Sequence, residues 1–165
     1  MTTKLLMSAC LVGQCCRWDC RPITGVVTPR LHKMLDNGEV AVICPEFAGG
    51  LDIPREPAEI APGCNAKSVL EGNGKVIDRQ GTDVTEAYRT GANKALDLVK
   101  KLNIRVAVLN DRSPSCGVHC VHTGKFDGET TSGRGVTAEL LASNGVQLFS
   151  AEELDAALAE IDKIA

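Results

Sequence analysis

Aromatic side chains are scarce, at 3% of the 165 residues: three Phe, one Trp and one Tyr. That scarcity argues against a base-stacking platform for single-stranded nucleic acid. Charge of one sign is lacking as well. Eighteen Lys and Arg against 21 Asp and Glu leave a formal net charge of −3, so there is no basic field to hold a phosphate backbone. No stretch approaches the ~18 apolar residues of a membrane helix. The start, MTTKLLMSACLVG, has an apolar run shorter than the ~7–15 residue core of an export signal. No CxxC pair occurs, which removes the usual spacing of zinc ribbons and thioredoxin-like redox sites. Internal repeats, low-complexity tracts and linkers are also missing. The expectation is one domain over residues 1–165, located in the cytoplasm, with neither a nucleic-acid polymer nor a membrane as its partner.

Cysteine is the residue in excess. There are eight, fewer than the ~8–10% of a disulfide scaffold. In a reducing compartment such enrichment points to metal binding or catalysis before disulfides.

Hydrophobic patterning places these cysteines on a fold. Lys4–Ala9, Glu39–Ile43, Arg105–Leu109 and Val146–Phe149 are short apolar runs that read as buried strands. Between them, Thr28-Pro29 opens a helix that Asn37-Gly38 stops. Thr82–Leu102 is the strongest helix, with a capping-box-like start at Asp83 and Glu86 and an apolar stripe at Val84, Tyr88, Gly91, Ala95, Leu98 and Leu102. Val136–Ser143 is a further helix, and Ser150 is the expected N-cap of the last. Leu11–Ile23 and Pro45–Asn65 are expected as loops, with a Gly-rich loop running to Gly135, and Ser68–Ile77 as a hairpin turning at Asn73-Gly74. Strands alternating with helices give an α/β fold with a mainly parallel sheet flanked by helices, plus this small β-hairpin.

In an open parallel sheet all strands end on one edge, where α/β proteins bind ligands. Cys10 and Cys44 directly follow the first two strands, and Cys116 lies a few residues past the third. Although 34 and 72 positions apart in sequence, these three thiols are expected to converge. Two readings stand at this point. Convergent thiols suit a soft metal, and an iron–sulfur cluster tolerates such separations because each cysteine meets a different iron. Cysteine is also a common small hydrophobe at strand ends. Glu46 and Ser113 lie within reach of the same edge. A carboxyl there can move protons and a hydroxyl can bind a polar substrate atom; alternatively, Glu46 pairs with an arginine and Ser113 caps a turn.

The remaining cysteines carry less. Cys15, Cys16 and Cys20 crowd one loop and are expected to be exposed or reactive rather than core. Cys64 and Cys120 fall in loops, the latter flanked by His119 and His122, which read as solvated loop residues before a zinc site. His32 reads as a helix-surface residue. The thiols beyond the converging trio keep a second function class open, a non-catalytic sulfur or metal carrier.

Ser8-Ala9-Cys10-Leu11-Val12-Gly13, Cys44-Pro45-Glu46, Pro54-Arg55-Glu56-Pro57 and Ser113-Pro114-Ser115-Cys116-Gly117 occur in this order. Gly135-Val136-Thr137-Ala138 and Phe149-Ser150-Ala151-Glu152-Glu153 follow. Together these motifs resemble the 2-thiouracil desulfidase family over nearly the whole chain. The resemblance implies a Rossmann-like domain and a [4Fe-4S] cluster held by Cys10, Cys44 and Cys116. It also implies Glu46 and Ser113 acting at the substrate, and hydrolytic removal of sulfur from a small thiocarbonyl compound as hydrosulfide. Where the family often shows an RYDG-like segment, this chain has Arg17-Trp18-Asp19-Cys20. Gly117 is expected to keep the backbone clear of whatever Cys116 holds.

Overall fold

Four parallel strands form the centre of the structure, a computed structural model that describes residues 2–164. In chain order the strands are β1 (Leu5–Ser8), β2 (Val40–Ile43), β3 (Ala58–Ile60), β4 (Val76–Asp78), β5 (Val106–Leu109), β6 (Cys120–His122), β7 (Thr130–Ser132) and β8 (Gln147–Ser150). The helices are α1 (Pro29–Asp36), α2 (Pro45–Ala48), α3 (Ala66–Glu71), α4 (Thr85–Leu102), α5 (Val136–Ser143) and α6 (Leu154–Ile164). The sheet runs β2-β1-β5-β8, with Leu5 opposite both Val40 and Val106, and Val106 opposite Gln147.

Alternation along the strands divides the core into two layers. Leu5, Met7, Val106 and Val108 point to the face covered by α1 and α6, where they meet Leu31, Met34, Leu154, Ala157, Leu158 and Ile161. Leu6, Ala107 and Leu109 point the other way, onto Ala95, Leu96 and Val99 of α4 and Ala138 and Leu141 of α5. A strand buried on both faces loses its polar alternation, and all four residues of β1 and of β5 are buried. The chain passes from β1 to β2 on one side and returns through β5 on the other. The carboxyl ends of β1 and β5 therefore bound the crevice typical of a strand-order reversal.

The mainly parallel α/β architecture agrees with the sequence pattern, and so do the boundaries of α1, α5 and β5. Four local expectations need correction. The segment 68–77 is not a hairpin: Asn65 and Ser68 form a reciprocal capping box that starts α3, and Gly72 ends it in the left-handed region. Strand β4 then pairs antiparallel with β3, inside what reads as the Pro45–Asn65 loop. The Asn73-Gly74 pair carries turn chemistry, but the capping box begun by Asn65 eight residues earlier decides what precedes it. Helix α4 begins at Thr85, not Thr82, and has no side-chain cap because its N-cap is the apolar Val84; Asp83 accepts from the amide and hydroxyl of Thr85. The Gly-rich loop contains the antiparallel pair β6–β7. The last helix starts as expected at Ser150, with Glu153 closing the capping box, though its first turn is a 3₁₀ turn over Ala151–Glu153.

Candidate metal centre and active site

Cys10 follows β1 in a 3₁₀ turn, Ala9–Val12, that ends at Gly13 in the left-handed region. Cys44 is the N-cap of α2, directly after β2. Cys116 sits in the turn after β5. All three line one cavity of about 480 Å³ at the carboxyl edge of the sheet, as do Glu46 and Ser113. The five site residues named from sequence are thus brought together. Cys10 and Cys116 are buried and Cys44 is half-buried.

The turn carrying Cys116 is built by its own polar groups. Ser113 Oγ accepts hydrogen bonds from the amides of Ser115 and Cys116, both at 3.1 Å. Asp111 Oδ1 accepts four more, from the amides of Arg112, Val118, His119 and Cys120. The start of α5 locks the turn from the other side: the amides of Val136 and Thr137 donate to the carbonyls of Pro114 and Ser115. Gly135 permits that approach, because a Cβ there would lie 2.4 Å from the Ser115 backbone. The expectation for Gly117 is corrected. A Cβ at that position would strike the carbonyls of Cys120 and Ser113, so its smallness serves the folding of its own loop.

Glu46 is held at both oxygens. Tyr88, buried in α4, donates to Oε1, and Arg55 Nη2 pairs with Oε2. Arg55 is itself fixed by donating to the carbonyls of Asp52 at 3.1 Å and Cys16 at 3.0 Å. Burial alone would pull the arginine's pKa down, but the Glu46 carboxylate beside it raises it, so the guanidinium stays charged. Burial, reinforced by the same carboxylate, drives the Tyr88 phenol well above its ordinary value. It remains a donor at any ordinary pH. The arginine pairing of Glu46 and the turn-capping of Ser113 therefore both occur, and both residues still face the cavity.

The thiols share a trend. Burial pushes Cys116 up to about 12. Cys44 is raised by its contact with the Cys16 thiol and then by burial. Such thiols keep their protons at neutral pH until a metal displaces them. Among the described residues no group of three or more His, Cys, Asp or Glu side chains converges tightly enough to hold a single metal ion. A cluster makes a different demand, since its thiolates meet separate irons of one inorganic core.

Three residues of the site escaped sequence reasoning. Cys15, Cys16 and Cys20 read together as exposed or reactive rather than core; Cys15 and Cys20 are exposed, but Cys16 is buried and lines the cavity. Alternation cannot say which member of a Cys-Cys pair turns inward in a loop. Arg55 lay within a quoted motif without a role. Tyr88 read only as a member of an apolar stripe, yet a buried phenol needs a hydrogen-bond partner, and that signal was available. Two histidines fall as expected: His119 is exposed and pairs with Glu153 at 2.6 Å, and His32 is exposed beside Asp36. The expectation for His122 is corrected: it is not a solvated loop residue but lies on β6, half-buried, and lines the cavity. Cys120 is half-buried, with its thiol 3.9 Å from Asp111 Oδ1.

An uncharacterized protein of Bacillus subtilis (strain 168), YbbK, is 38% identical over 151 residues, which is 92% of this chain and 97% of that one. The solved structure of the [4Fe-4S]-dependent thiouracil desulfidase TudS superposes with a TM-score of 0.86 at 35% identity, covering 98% of this chain and 99% of the other. The family model described as 2-thiouracil desulfurase matches residues 5–153, from the first residue of β1 to the capping glutamate before α6, and the chain belongs to that family.

Proposed function

We propose that this chain is a [4Fe-4S]-dependent desulfidase that hydrolyses the C=S bond of a small thiocarbonyl compound such as 2-thiouracil. Sulfur would be released as hydrosulfide without net oxidation or reduction. One observation carries the reading: Cys10, Cys44 and Cys116, at the ends of three adjacent parallel strands, line one cavity with Glu46 and Ser113. The likeness to TudS supports it. The donor set fits the cluster, being soft sulfur on rigid, largely buried backbone. When bound there, the cluster would supply an open iron that polarises a thiocarbonyl as a soft Lewis acid.

The chain's own residues do the rest. Glu46 takes a proton from the attacking water and returns it to the departing sulfur. Tyr88 and Arg55 fix the carboxylate plane, so the proton transfer happens at one place. Ser113 already accepts two amide hydrogen bonds, which occupies the lone pairs of its oxygen. Its hydroxyl proton is left to donate to a ring carbonyl or nitrogen of the substrate. The overall balance is R₂C=S plus water giving R₂C=O plus hydrogen sulfide. The eight free thiols suit a reducing cytoplasm.

The test is anaerobic purification, reconstitution with iron and sulfide, and addition of 2-thiouracil. Repeated release of hydrosulfide and uracil is expected. An intact cluster with no hydrosulfide would remove thiouracil as substrate, and release that stops at one equivalent would indicate a sulfur carrier.

A further inference from the structure

The loop between β1 and α1 folds back over the metal centre. The amide of Gln14 donates to the carbonyl of Ala9 at 3.2 Å, and that of Ile23 to the carbonyl of Cys10 at 3.3 Å. This return buries Cys16, only 6% exposed, in the same core as Cys10, with Cys44 packed against them. Its backbone is fixed as well, since the Cys16 carbonyl accepts from Arg55 Nη2 at 3.0 Å and from the Cys44 thiol at 3.6 Å. The Cys16 side chain thus shares one buried cluster with those of Cys10 and Cys44 and lines the same cavity. Cys116 packs instead in the core layer on the other face of the sheet, with its thiol 4.0 Å from Ser115 Oγ.

From this packing we infer that Cys16 is an alternative iron ligand, able to replace Cys10 or Cys44 but not Cys116. The inference rests on the cluster-binding reading above. Thiolates are chemically equivalent ligands, so which of them holds an iron is decided by reach. Three thiols pack in the one cluster that serves the Cys10 and Cys44 positions, while Cys116 is the one cysteine in the cluster on the opposite face of the sheet. The exchange is balanced. The bond from iron to the outgoing sulfur breaks and the bond to Cys16 sulfur forms. The proton of Cys16 passes to the outgoing thiolate, and no electron moves. A centre whose product is itself a sulfur ligand for iron gains from such a spare thiol, which can recapture an iron when hydrosulfide competes with Cys10 or Cys44.

Anaerobic reconstitution of variants tests this, read by iron and acid-labile sulfide per chain, visible absorbance and far-ultraviolet circular dichroism. Cys10→Ala and Cys44→Ala are each expected to keep a cluster. Cys10→Ala/Cys16→Ala and Cys44→Ala/Cys16→Ala are expected to fall at least about tenfold below the matching single variant in iron retained at limiting supply. Cys116→Ala is expected to lose the cluster with Cys16 present. If the alanine doubles lose their fold by circular dichroism, Cys16→Ser replaces them, since it keeps the side-chain shape and removes the thiol. Single Cys10 and Cys44 variants as empty as the folded doubles would overturn the assignment while leaving the cluster reading intact. Wild-type protein that takes up no cluster would overturn both.

Discussion

Tyr88 donates a hydrogen bond to the carboxylate of Glu46 across 42 positions of sequence, joining α4 to the first turn of α2. With Arg55 on the other oxygen, the carboxylate has no rotational freedom. Tyr88→Phe removes the donor and keeps the ring in its buried place. Hydrosulfide release from 2-thiouracil is expected to fall about tenfold, with a stability loss of about 1 kcal/mol and unchanged cluster content. Unaltered turnover would reduce Tyr88 to a packing residue.

Glu46→Gln keeps the volume and one oxygen acceptor but cannot carry a proton. The kcat is expected to drop by about 10²–10⁴. Iron and sulfide counts should stay at the wild-type level, because Glu46 is not needed to hold the cluster. A variant that loses cluster and activity together would show that Glu46 acts on the metal centre and not on water.

The α2–α4 contact depends on two glycines. A Cβ on Gly91 would lie 1.9 Å from the Pro45 carbonyl, and one on Gly49 would lie 1.9 Å from the Ala87 carbonyl. Backbone cannot yield as a side chain can. Gly91→Ala is therefore expected to cost about 1–3 kcal/mol through overpacking, seen as a lower Tm. Because Pro45 stands between Cys44 and Glu46, the surviving folded protein should also be less active than its cluster content predicts.

Much of this was legible in sequence, for a physical reason. Strands buried on both faces are short unbroken apolar runs, so β1 and β5 announce themselves; β2, half-buried at the sheet edge, is as unbroken a run, and parallel direction then fixes where Cys10, Cys44 and Cys116 must emerge. Glu46 and Ser113 follow because they sit within a turn of those cysteines. Contacts made by long-range packing were not legible. Arg55 reaches Glu46 only because the segment after α2 curls back, and Cys16 turns inward only because its loop closes over Cys10. The capping box of Asn65 and Ser68 was a local signal, outweighed in the reading by the nearby Asn-Gly pair.

Cluster uptake should depend on pH, and the thiols set the direction. Burial holds Cys116 near 12, and contact with the Cys16 thiol, followed by burial, raises Cys44 as well. Each thiolate–iron bond formed below those values releases one proton. Affinity therefore rises with pH throughout the range below them, and reconstitution at limiting iron is expected to be more complete at about pH 8.5 than at about pH 6.5. Equal occupancy at both would mean that the thiols are already ionised in the cluster-free protein.

Asp111 is the anchor of the Cys116 turn, and its replacement separates charge from shape. Burial alone would raise its pKa, but the four amide donors outweigh it and hold the carboxyl below the usual carboxylate range. A carboxylate with a depressed folded-state pKa contributes stability above its unfolded value of about 3.9, and that contribution is lost as pH falls through the folded value. Asp111→Ala leaves the amides of Arg112, Val118, His119 and Cys120 without this acceptor. The expected cost near neutral pH is about 1–2 kcal/mol, reduced from the full value of charged hydrogen bonds because the group is partly solvated. Asp111→Asn keeps an oxygen in place and should lose less. Its denaturation midpoint is expected to approach that of the wild type as pH is lowered through the native Asp111 value, where the wild-type charge is also gone. Cluster content should follow the same order, wild type above Asn above Ala, because the turn that these amides close is the one that presents Cys116. Equal pH dependence in all three proteins would show that the turn is held by the α5 contacts alone.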